Sequence, residues 1–158
     1  MKDNTLDILM YLFDNYLDDG LISTEQEISL DELELAGFLP DDIRRAFSWL
    51  QSLADEMPTI EHIQDESALA FRVFTPEECQ ALSMPCRDFL YYIEKSGIID
   101  AKTRELIIEY VMVLGAHELE LIYFKRIVLM VLLNQPEQET AALWIEESIK
   151  DDADEIPH

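Results

Sequence analysis

The sequence predicts a mostly α protein, with a winged-helix-like N-terminal half that carries a short β-hairpin packed on a C-terminal helical bundle. Three observations carry that expectation. Helix-period stripes with capping residues recur from residue 5 to 54 and again from residue 75 onward, while one stretch between them switches to a two-residue period. Hydrophobic residues make up 49% of the chain, enough for a core and too many for a disordered acidic segment. Finally, 34 acidic residues stand against 11 Lys and Arg, giving a net charge of −23 over 158 residues, so the folded surface is strongly negative.

Thr5 to Asp18 reads as a helix with Leu6, Leu9, Phe13, Tyr16 and Leu17 on one stripe and Ile8, Tyr11 and Leu12 on a second, ended by Gly20. Ser29 takes the N-cap place with Glu32 at the capping-box position. Leu30, Leu33 and Leu35 form the apolar side of this short second helix, and Gly37 closes it. Pro40, Asp41 and Asp42 open a third, because proline suits the unbonded first turn and carboxylates suit the positive end of the helix dipole. Its apolar face is Ile43, Ala46, Phe47, Leu50, Leu53 and Ala54, and its outer face Arg44, Arg45, Ser48, Gln51 and Ser52.

Past Met57 and Pro58 the period shortens. Ile60 and Ile63, then Leu69, Phe71 and Val73 alternating with Ala70, Arg72 and Phe74, predict two strands joined across Asp65, Glu66 and Ser67. Three helices followed by a hairpin is the order of a winged helix-turn-helix. From Thr75 the pattern is helical to the end. Thr75 and Glu78 form a capping box, and Pro85 opens a helix that runs to Gly97 with Phe89, Leu90 and Ile93 inside. Asp100 caps a helix stopped by Gly115. Glu118 to Asn134 is apolar on nearly every side and reads as the central helix; Thr140 to Ile149 is a last amphipathic one, with Leu143, Trp144 and Ile149. The expected organisation is therefore an acidic winged-helix-like subdomain over 1–75, a helical subdomain over 76–150 and a frayed acidic tail over 151–158.

Composition excludes several function classes. Cys79 and Cys86 are too few for a disulfide framework and lack zinc-ligand spacing, which fits reduced, buried thiols in a cytoplasmic protein. No export signal is expected at Met1 to Asp7, and the apolar run Ile127 to Leu133 is far short of the ~20 residues that span a bilayer. His117-Glu118 lacks the second histidine of a zinc-protease helix, and Asp151, Asp152, Asp154 and Glu155 lack the glycine of a calcium loop. No catalytic constellation, cofactor loop or metal set is expected.

Two groups of residues remain as candidates. Asp41, Asp42, Arg44 and Arg45, with Trp49 lying off the apolar stripe, make a candidate partner surface. Arg72, Arg87 and Arg104 are scarce cations amid many carboxylates, so each is either a structural ion-pair former or part of an anion site.

Several segments taken in order resemble the Smg family of proteobacterial proteins. They are Leu9-Met10-Tyr11-Leu12-Phe13, Ala36-Gly37-Phe38 before Asp41-Asp42-Ile43, Trp49-Leu50, Leu53-Ala54-Asp55 and Thr75-Pro76-Glu77-Glu78-Cys79. The series continues through Cys86-Arg87, Phe89-Leu90, Thr103-Arg104-Glu105, Ile108-Glu109 and Leu129-Met130-Val131-Leu132 to Asn134 and Pro136. The likeness covers nearly the whole chain but implies no activity, substrate or cofactor. It implies only a gene neighbourhood with a DNA-processing protein and a topoisomerase-like zinc-ribbon protein.

The functional expectation is a non-catalytic interaction or regulatory factor that offers an acidic surface to a basic protein partner, nucleic-acid mimicry included. One alternative is direct nucleic-acid binding through the third helix, with Arg44 and Arg45 on phosphate or bases and Arg72 in the hairpin. The other is an enzyme that uses Cys79 or Cys86.

Overall fold

The computed structural model describes residues 4–18, 21–22, 30–54, 73–115, 117–135 and 137–155. The protein is mostly helical and divides into two compact units, Met1–Met57 and Pro58–His158. The sequence places its boundary later, at 75/76; most of the residues between the two divisions lie outside the described ones.

In the first unit, α1 (Asn4–Tyr16) packs along α3 (Pro40–Ala54), and α2 (Leu30–Leu35) leans on α3 as well. Thr5, Ile8, Leu9 and Leu12 are buried at i, i+3, i+4, i+7 spacing, which makes one seam of α1 core. The helix stops two residues short of the expected Asp18. Leu17–Asp18 instead pairs antiparallel with Leu21–Ile22, in the register Leu17 to Ile22 and Asp18 to Leu21.

The expected hairpin over 60–74 is not supported. Val73 and Phe74 belong to no strand and Val73 is exposed. The remaining positions of that hairpin, Arg72 among them, lie outside the described residues. Ser29 lies outside them too.

The second unit holds α4 (Pro76–Ala81), α5 (Met84–Lys95), α6 (Ala101–Leu114), α7 (Leu121–Leu133) and α8 (Glu139–Glu155). Its local signals fold as read. Glu78 N–H donates to Thr75 Oγ1 at 3.1 Å and Thr75 N–H to Glu78 Oε1 at 2.9 Å, while Thr103 N–H donates to Asp100 Oδ1 at 2.8 Å. Helix α7 packs against α5, α6 and α8, with Phe124 and every residue from Ile127 to Leu132 buried. This is the central helix that its all-round apolarity predicts.

Three details differ from expectation. Helix α7 begins at Leu121, because Glu118 turns left-handed at φ 51° and the segment before the helix is drawn onto α4. There Glu118 N–H donates to Gln80 O at 2.7 Å and Leu119 N–H to Ala81 O at 2.9 Å, forming a parallel bridge between Leu82 and Leu119. Helix α8 continues through the supposed tail to Glu155. Among its described side chains Ala141, Ala142 and Ile145 are buried, whereas Leu143 is exposed.

Candidate interaction surface

The turn from α2 into α3 positions the candidate surface. Ala36 and Gly37 leave α2, and Gly37 sits at φ +100°, where a side chain would be strained. Gly37 N–H donates to Glu34 O at 3.0 Å and Phe38 N–H to Leu33 O at 3.3 Å, the paired bonds of a Schellman ending. Phe38 then meets Tyr11 of α1 edge to face at 5.7 Å, which holds the turn against the unit's core. Ile43 N–H donates to Leu39 O at 3.0 Å, so α3 starts at once with Pro40, Asp41 and Asp42 in its first turn.

Each predicted residue of this surface has a definite place. Arg44 Nη1 lies 3.5 Å from Asp41 Oδ1, with both side chains about four-fifths exposed, and Arg45 Nη1 lies 3.9 Å from Asp42 Oδ1. Each cation thus has a carboxylate one helical turn earlier, which lowers the positive charge of this face without burying either guanidinium. Asp42 is not an open contact residue: its side chain is only 13% exposed, and Oδ2 is buried without a hydrogen bond.

Trp49 overturns the sequence reading, because it is 3% exposed and hence no surface anchor. The buried face of α3 is Ile43, Ala46, Trp49, Leu50 and Leu53. It is centred on Ala46, about 60° round the helix from Trp49 and about 100° from Phe47. Phe47 is pushed to the rim and half-buried. Leu35, expected inside, is 89% exposed.

That rotation opens a groove of about 450 Å³ between the end of α2 and the length of α3, lined by Glu34, Pro40, Ile43, Arg44, Phe47, Ser48 and Gln51. Its accessible apolar lining is Pro40 and Phe47, with Ile43 beneath them turned into the core. Glu34 on its edge forms no ion pair among the described residues, and Leu35 and Leu39, next to groove residues in sequence, are both exposed. The groove was missed because it depends on which edge of α3 faces the core, and a stripe drawn through Phe47 hides it.

Arg87 and Arg104 have partners inside the second unit, while Arg72 lies outside the described residues. Arg104 is buried, with Nη1 2.8 and 2.7 Å from the two oxygens of Glu94 and Nε 2.8 Å from Glu105 Oε2, so it ties α6 to α5. Arg87 Nε donates to Leu82 O at 3.2 Å and Nη1 to Cys79 Sγ at 3.4 Å, closing the end of α4. Cys86 is fully buried, and its thiol donates to Leu119 O at 3.0 Å beside Ser83 Oγ at 3.3 Å. Burial pushes that thiol's pKa up, more than the Ser83 hydrogen bond lowers it. Cys79 is half-buried. Among the described residues no three His, Cys, Asp or Glu side chains are placed to hold a metal ion, and no helix is long and apolar enough to cross a membrane.

Residues 5–158 match the family described as protein of unknown function (DUF494). A protein named Protein Smg homolog from Thioalkalivibrio sulfidiphilus is 42% identical over 160 residues, covering all of both chains. The chain belongs to the Smg family. Smg homologues from Nitrosococcus oceani and Stenotrophomonas maltophilia are 41% and 38% identical, again over the full length of both partners. No solved structure matches. The family match runs through both units.

Proposed function

We propose that this protein is a non-catalytic cytoplasmic interaction factor whose α2–α3 face receives a basic protein partner. The observation that supports this reading is the groove along α3, edged by Glu34, which forms no ion pair among the described residues, on a face where Arg44 and Arg45 lie 3.5 and 3.9 Å from Asp41 and Asp42. A helix-turn-helix reader presents free cations there, because phosphate contacts supply most of its affinity. Here residues 1–57 carry 14 acidic side chains and 3 basic ones, so phosphate is repelled and a cationic protein attracted.

Fluorescence anisotropy with mixed-sequence duplex DNA and RNA, together with affinity capture from native lysate, tests the reading. No binding to either nucleic acid at physiological salt is expected, alongside capture of a basic protein that weakens when Glu34 and Asp41 are both changed to Lys. Micromolar duplex binding that falls steeply with salt would replace it with direct nucleic-acid recognition through Arg44 and Arg45.

A further inference from the structure

We infer that the occupant of the α2–α3 groove is an amphipathic helix with an apolar stripe flanked by Lys or Arg, an assignment that rests on the protein-partner reading above. Pro40, Ile43, Arg44, Phe47, Ser48 and Gln51 fall at i, i+3, i+4, i+7, i+8 and i+11 on one side of α3, so the groove runs along the helix for about three turns, roughly 16 Å. An extended peptide docking by strand addition would need a sheet edge to pair with its backbone. The walls are helix side chains, which offer no such edge. A helix satisfies its own backbone and presents apolar residues at i, i+3 or i+4 and i+7, a stripe that Pro40 and the half-buried Phe47 meet from the groove.

Charge selects the flanks. Glu34 forms no ion pair among the described residues, and Asp41 offsets Arg44, so the rim is net negative within an acidic unit. A second copy of this chain, itself at −23, is thereby disfavoured as occupant.

The test uses the full-length protein and two synthetic Leu/Lys peptides of about 18 residues, or five turns. One carries its leucines on a single helical stripe; the other has the same composition in scrambled order. Binding is read by anisotropy at physiological salt. The striped peptide is expected to bind about tenfold tighter than the scrambled one. That preference should vanish in Ser48→Trp, which plugs the groove from an exposed position, and shrink in Glu34→Lys. Circular dichroism melts confirm that both variants are folded.

Equal affinity for the two peptides would mean attraction by net charge alone and would overturn the inference, as would a preference that survives Ser48→Trp. Neither result touches the protein-partner reading, which fails separately if duplex DNA or RNA binds or if lysate capture ignores Glu34 and Asp41.

Discussion

Trp49 is the largest side chain on the buried face of α3, and its burial turns a surface candidate into a stability determinant. Trp49→Ala should cost about 3–5 kcal/mol by cavity formation, read as a lowered denaturant midpoint. A loss under about 1 kcal/mol would return Trp49 to the surface. Cys86 offers a second residue-scale measurement. Its thiol is fully buried against Leu119 O, whereas Cys79 is half-buried beside the Arg87 guanidinium, so a thiol reagent should modify Cys79 first and reach Cys86 only on unfolding. Because the folded pKa of Cys86 is raised, the native state keeps a proton that the unfolded chain releases in alkali. The stability contributed by keeping it a thiol is complete below the ordinary cysteine range and is lost as pH rises through the raised value. Wild-type stability should therefore fall more steeply toward alkaline pH than that of Cys86→Ala, a difference that denaturant titrations at a series of pH values would detect.

Among elements, the turn at Gly37 sets where α3 begins and hence which residues edge the groove. An added Cβ at Gly37 would meet no atom within 4 Å, yet φ is +100°. Gly37→Ala should thus cost about 1–2 kcal/mol from backbone strain alone, with no cavity or clash to confuse the thermal melt. The same contrast between local and distant causes explains what the sequence disclosed. The Thr75–Glu78 box, the Asp100 cap and the Gly115 stop were legible because each is a hydrogen bond or a backbone conformation fixed within a few residues. The short pairing of Leu17–Asp18 with Leu21–Ile22 was hidden by a helical stripe running through Tyr16 and Leu17. The late start of α7 carried no local sign at all. It is set by the end of α4, more than thirty residues earlier. Trp49 and the groove belong to this second kind, since several positions on α3 are apolar enough to face inward and only the packed neighbours choose among them.

For the whole molecule, charge dominates. With −23 on 158 residues, the native state stores self-repulsion that salt relieves, as the screening length shrinks from ~30 Å at 0.01 M to ~8 Å at 0.15 M. Thermal stability should therefore rise with added NaCl, most steeply below about 0.15 M. A flat or falling melting temperature would mean that local pairs such as Arg104 with Glu94 outweigh the global field. Binding should respond in the opposite sense, because the same screening weakens attraction of a basic partner.

The backbone bridge between Leu82 and Leu119 also bears on how the second unit reaches its native state. It joins the end of α4 to the segment before α7, so α5 and α6 lie inside a closed loop whose ends are fastened by Glu118 N–H to Gln80 O and by Ser83 Oγ to Leu119 O at 2.7 Å. Closing a loop of that length loses chain entropy before its contacts return anything, so the fastening belongs to the native side of the folding barrier. Weakening it by Ser83→Ala should speed unfolding in stopped-flow experiments while leaving the refolding limb nearly unchanged. The latch, in kinetic terms, holds the second unit closed after the helices have found one another.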